Sequence, residues 1–181
     1  ASSGNSLITY QNAEGANLIG AEVETRKSLD FIHDSLEDLA LVANLTLAFS
    51  EVEIDTDVLS GQAGTSTERP LTNQAPWVEN IALVYGNDAT GTKARVLYNV
   101  AGKRIVTAGE APLPDIYEQP RHGLDATIGF PLLRGARAKV KATNLLDQDY
   151  TFLQSAGGYE QIQRQYSIGR TLSVGLSWEL R

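Results

Sequence analysis

Four groups of residues in this sequence have types and spacings that could do chemistry. Glu51, Glu53, Asp55 and Asp57 place four carboxylates at alternate positions, enough oxygen for a hard cation such as calcium. The spacing lacks the glycine and the intervals of an EF-hand loop, so a solvated strand end is the simpler reading. Arg137, Lys139 and Lys141 also alternate, and three cations on one polar face could draw in an anionic ligand such as a metal chelate. Pairing with carboxylates on the same side of a sheet is the simpler expectation for them. His33 and His122 are far apart and sit at or beside connections, which suits ordinary solvated loop histidines better than a metal or acid/base pair. Finally, "KATNLLDQDYTFLQ" (141–154) brings an amide, two leucines and two carboxylates together where an alternating stretch stops.

None of these makes an enzyme. There is no Walker-type loop, Gly-x-Ser-x-Gly elbow or His-x-x-x-His pair. With zero cysteines the chain has no disulfide, thiolate metal site or thiol nucleophile. No catalytic residue, metal or cofactor is expected. The 22 acidic against 15 basic residues give a net charge of −7, which argues against nucleic acid as a partner, since that needs clustered Lys and Arg. No run approaches 18 apolar residues, so no transmembrane helix is expected; a transmembrane β-barrel is left open, because its strands alternate.

The elements that carry these residues read as strands, because period 2 recurs in segment after segment and helical spacing is scarce. In 17–29, Ile19, Ala21, Val23, Thr25 and Leu29 oppose Gly20, Glu22, Glu24, Arg26 and Ser28; in 39–50, Leu39 through Phe49 make an unbroken apolar face. The pattern repeats in 77–85, 93–100, 123–130, 136–143 and 168–180, and a short opening strand is expected at 5–11. That makes eight strands in a single domain over 1–181. Connections at 12–16, 30–38, 86–91 and 133–136 are short, whereas 53–73, 106–120 and 146–166 are long and rich in Gly, Pro, Gln and Asp. In an up-and-down meander the three long loops share one end, as in outer-membrane barrels.

A soluble sandwich also alternates. Strand lengths near the ~9–11 residues that cross a bilayer at a tilt favour the barrel. So do aromatics at the ends of the apolar faces, with Phe49, Trp77, Tyr85, Phe130 and Trp178 as candidates for an interfacial girdle. The expected fold class is all-β: an antiparallel up-and-down transmembrane barrel. It would be a small self-closed barrel, or the last eight strands of a larger one. Self-closure would pack Glu22, Glu24, Asp125 and Glu179 against Arg26, Arg95, Lys139 and Lys141 in the interior. Tyr117, Tyr150, Phe152 and Tyr159 fall in the long loops, where a ligand would first touch a receptor.

"KATNLLDQDY" followed by "GRTLSVGLSWEL" resembles the C-terminal end of TonB-dependent outer-membrane receptors. In that family an Asn-Leu-hydrophobic-Asp segment closes the penultimate strand and a Gly-Arg-Thr/Ser segment opens the last. Here those positions are Asn144, Leu145, Leu146, Asp147, Gly169 and Arg170. Upstream, "GAEVETRKSL", "RPLTNQAPWVENIALVY", "VLYNVAGKRI" and "LPDIYEQPRHGLDATI" are similar to the family's late strands, in order. The resemblance implies a place in the bacterial outer membrane, contact with its lipid, insertion by the barrel-insertion machinery, and uptake of iron chelates, cobalamin or glycans as the family's task. The TonB complex would be a partner only within a full receptor. The family's barrel has about twenty-two strands around an N-terminal plug. This chain shows neither plug nor energy-coupling box and is not expected to transport alone; a membrane scaffold role is the alternative. The family's usual aromatic last residue is also replaced, the chain ending Trp178-Glu179-Leu180-Arg181.

Overall fold

The computed structural model describes residues 15–53, 68–109 and 113–178. The chain is all-β and antiparallel. Its strands are β1 (Gly15–Ser28), β2 (Leu39–Glu53), β3 (Glu68–Arg69), β4 (Trp77–Asn87), β5 (Thr92–Ala101), β6 (Arg104–Thr107), β7 (Ile116–Glu118), β8 (Gly123–Pro131), β9 (Ala136–Thr143), β10 (Tyr150–Ala156), β11 (Tyr159–Tyr166) and β12 (Thr171–Trp178). Among the described residues no helix is long and apolar enough to cross a membrane.

Seven of the eight expected strands are β1, β2, β4, β5, β8, β9 and β12, and they form one meander in that order. The eighth, at 5–11, lies outside the described residues, as do Glu179, Leu180 and Arg181. β1 already begins at Gly15, inside the stretch expected as a connection. β3 adds a two-residue pairing to β2. No closed barrel is found: among the described residues the sheet is open, with β1 at one edge and β12 at the other. Each of the six successive pairings is antiparallel, so β1 and β12 run in the same direction.

Two of the three expected long loops are corrected. The stretches 106–120 and 146–166 contain strands, and β6, β7, β10 and β11 make a second sheet in the order β11-β10-β7-β6. Read from the other side, that order is the order β5-β8-β9-β12 of the strands that lead into it. The second sheet is therefore the first one carried onward, past breaks at 102–103, 119–122, 144–149 and 167–170. All four breaks lie at one level, because Asn99 is opposite Gly123 and Thr143 is opposite Thr171.

Ala40, Ala82, Ala136 and Ala138 are buried within the large sheet, while the larger buried side chains, Val52, Val100, Ile105 and Phe152, lie near that level or beyond it. Gly102 is required there: its amide donates to the Trp77 carbonyl, and a Cβ would come within 2.8 Å of the indole nitrogen. The segment before β4 is tied in by Asn73 N–H to the Ile105 carbonyl and Leu71 N–H to the Ser50 hydroxyl.

Candidate functional site

Directly opposed residues of antiparallel strands share a face, so register fixes what each side of the large sheet presents. One row runs Leu39, Tyr85, Ala94, Ile128, Val140, Val174. The next runs Lys27, Leu41, Leu83, Val96, Ala126, Ala142, Leu172. Ala21, Leu47 and Trp77 make a row further along, and Ile19 lies opposite Phe49. The apolar faces of all seven strands thus fuse into one surface. It is open to solvent, most at the edge strands: Ile19 is 74% and Leu176 75% accessible, against 42% for Leu83 and 41% for Ile128 in the middle, where Leu39, Tyr85, Ala94 and Val140 are half-buried.

The opposite face is polar and concave. Its residues, from Arg26 of β1 through Lys93 and Lys139 to Ser177 of β12, border a single cavity of about 700 Å³. Only a sheet curled toward its polar side brings all seven strands around one space. Of the aromatic candidates, Tyr85, Phe130 and Trp178 lie toward the short-turn end of the apolar face, and Phe49 and Trp77 toward the other end. The inward carboxylates and cations that are described do not pair. Among the described residues no ion pair joins Glu22, Glu24 or Asp125 to Arg26, Arg95, Lys139 or Lys141. Glu22 accepts from the Asn44 amide and Asp125 from the Asn144 backbone N–H instead.

The Asn-Leu-Leu-Asp segment builds the break between the sheets. β9 ends at Thr143 and Asn144 turns into the left-handed region (φ 55°), as do Asp147 (φ 51°) and Gly169 (φ 71°) on the returning strand. Asn144 is 6% accessible and links three chain segments. Its amide Nδ2 donates to the Gly169 carbonyl at 2.8 Å, its Oδ1 accepts from the Arg121 guanidinium at 3.2 Å, and its N–H donates to Asp125 at 3.0 Å. Arg170 Nε donates to the Leu145 carbonyl at 3.0 Å and lies 4.0 Å from Asp147. Leu145 N–H donates to the Leu124 carbonyl, while the Leu146 side chain is exposed at the rim.

Beyond the break, one row of the second sheet runs Arg104, Glu118, Phe152, Arg164. Arg104 pairs with Glu118 at 2.8 Å, and the Arg164 guanidinium lies 4.0 Å from the Phe152 ring centroid. Tyr150 and Tyr166 stack at 5.0 Å, with Arg121 4.3 Å above Tyr150. Apart from Arg121, these side chains line a groove of about 590 Å³. Tyr150 and Phe152 were expected in a loop and instead stand two apart on β10; Tyr117 lies on β7 and Tyr159 opens β11. Arg104, Glu118, Arg164 and Tyr166 were not anticipated. The available signal in "YEQIQRQY" was only Arg164 two places from Tyr166, since a register shift at Phe152/Leu153 sets Ile162 opposite Leu153 and out of that row. On the other face, burial raises the Tyr117 hydroxyl pKa above its usual 10.0, and the negative charge of Asp115 adds to this.

His33 caps a single 3-10 turn, its Nδ1 accepting from Ser35 N–H, and His122 meets the Tyr98 hydroxyl at the break. They are not brought together. Glu51 and Glu53 lie on β2, while Asp55 and Asp57 fall outside the described residues. Among the described residues no three His, Cys, Asp or Glu side chains are grouped to hold a metal. No protein-family model, curated protein or solved structure matches the chain.

Proposed function

We propose that this chain is a wall of a transmembrane β-barrel of the bacterial outer membrane, of the kind found in the C-terminal part of TonB-dependent receptors. The large sheet meets lipid with its convex face, and the second sheet stands outside the bilayer. One observation carries this reading: the apolar residues of seven strands fall in register on one convex face, and all the charges of these strands but Lys27 and Glu79 lie on the concave one or at strand ends. In a soluble sandwich the apolar face would be the covered one.

The magnitudes agree. Burying one Leu- or Val-sized side chain is worth about 1.5–3 kcal/mol. Roughly ten such side chains on this face come to about 15–30 kcal/mol, above the ~5–15 kcal/mol net stability of an ordinary domain. From Leu39 to Phe49 there are about ten residue steps of ~3.4 Å. At a tilt of ~40–45° they span about 25 Å, the height of a barrel's apolar band. The aromatic residues at both ends of the face suit the two interfaces, where amphipathic rings collect. Uptake of a chelate or glycan would be the work of a whole receptor, and this chain's part in it is the wall and its outward extension.

The test uses the two tryptophans, Trp77 and Trp178, both on the apolar face. In vesicles, lipids brominated near the headgroup should quench their fluorescence more than lipids brominated at the chain ends. Fluorescence indifferent to either lipid would sink the membrane reading. A second reading, a self-closed small barrel acting as a scaffold, has one observation in its favour: β1 and β12 border the same cavity.

A further inference from the structure

On the concave face, register sets five strands in a repeating row: Gly86, Lys93, Gly129, Lys139, Gly175. The adjacent row runs Val84, Arg95, Thr127, Lys141, Ser173. Four cations therefore frame a floor that is bare at Gly129 and carries only the small hydroxyl side chain of Thr127. Lys93 and Lys139 are separated by one intervening strand, about 9–10 Å from backbone to backbone. All four side chains are exposed, and Lys93, Arg95 and Lys139 border the hollow. A Cβ built on Gly129 would meet nothing closer than the Ala138 carbonyl at 3.7 Å, so the space above the floor is open.

Like charges gathered on one face repel, and the penalty falls when an opposite charge enters between them. Among the described residues the chain does not supply it. Glu37, Asp38 and Asp88 border the cavity from the two short turns, with Asp38 already accepting from the Asn87 amide. Among the described residues none of these carboxylates is within 4.0 Å of a cation of the frame. Arg137, next along β9, is directed to the Gly91 carbonyl at 2.9 Å.

The geometry points to a binding site for a soluble multivalent oxyanion of the phosphate class, seated over Gly129 between Lys93, Arg95, Lys139 and Lys141. Lysine ammoniums bind phosphate as point charges, the arginine offers paired donors, and the Thr127 hydroxyl is a further donor. The site belongs to the concave face and does not depend on what the convex face meets.

Pyrophosphate is the probe, titrated calorimetrically into the full chain in a non-ionic detergent. Binding should weaken as sodium chloride is raised, because the cations are exposed and screened. Lys93→Gln and Lys139→Gln should each weaken it about tenfold or more, whereas Lys27→Gln, on the apolar face, should leave it unchanged. Gly129→Asp guards against variants that merely misfold: it puts a carboxylate between the two lysines, and it should abolish pyrophosphate binding while raising the thermal midpoint. The assignment is overturned if pyrophosphate does not bind, if Lys27→Gln weakens it as much as Lys139→Gln, or if Gly129→Asp binds normally. It is equally overturned if anion binding appears only with phosphatidic acid in the micelle, which would mark a lipid headgroup as the source. A bilayer reading that fails by tryptophan quenching leaves all these outcomes readable.

Discussion

Asn144 concentrates more of the junction than any other described side chain, and its replacement should be felt as folding rather than as binding. Asn is among the few non-glycine residues that tolerate a φ of 55°. Asn144→Ala loses that tolerance together with the bonds to Gly169 and Arg121, and should destabilise by about 2–4 kcal/mol. Asn144→Gly keeps the backbone but not the bonds, and should cost about 1–2 kcal/mol. Denaturant unfolding of the three proteins checks the order. Tyr117 gives the second residue-scale prediction. Its pKa is raised in the folded chain, so the neutral form is the one the fold prefers. Below pH 10 both folded and unfolded chains are neutral at this position, and that contribution is fully present. As pH climbs beyond 10 the unfolded chain ionises first, and stability is lost until the folded group titrates too. Tyr117→Phe should make the fall in stability above pH 10 shallower, measured by unfolding at a series of alkaline pH values.

At the scale of the strand, adjacent residues face opposite worlds. Val174 and Ser173 are neighbours in mid-β12, the first on the apolar face and the second on the polar one. Val174→Arg should lower stability in a bilayer by about 2–4 kcal/mol, and Ser173→Arg by less than about 1 kcal/mol. Equal costs would contradict the assignment of the convex face to lipid. The seven long strands were legible because they alternate, cleanly in all but 77–85, where Glu79 interrupts the apolar face, and pairing then aligned the faces as read. The second sheet was not. β6 and β7 are only four and three residues long and are flanked by Gly and Pro. β11 is polar on both faces apart from Ile162 and the tyrosines, so period 2 barely registers. The Asn-Leu-Leu-Asp segment was legible as a strand end. Its closure onto Gly169 and Arg170 was not, since it depends on β10 and β11 forming a hairpin that returns the chain to that level. Likewise parity placed Lys139 and Lys141 on the polar face, yet whether carboxylates reach them is decided by which strands are neighbours.

At the scale of the whole molecule, the described residues leave the large sheet with two edges, β1 and β12, and such edges seek partners. β1 offers 14 residues of it. In a bilayer, where no water satisfies the backbone, both edges must be paired. Refolded alone in detergent, a self-closed barrel should migrate differently in a denaturing gel before and after boiling. A wall that needs further strands should show no such shift and should associate through its edges instead, giving mixed sizes in sedimentation. The proposal of a receptor-type wall predicts the second behaviour for this chain and a heat-dependent shift once the missing strands are provided.

The shared direction of β1 and β12 restricts what those strands can be. An antiparallel wall alternates up and down all the way round, so a gap bordered by two strands of the same sense is closed only by an odd number of strands. One would complete the smallest barrel and fifteen would complete one of about twenty-two. On the proposed reading, whatever completes the circle as a single meander therefore starts on one side of the membrane and finishes on the other. That is a rule of parity, indifferent to sequence, and it excludes every even-stranded completion before any residue of it is known.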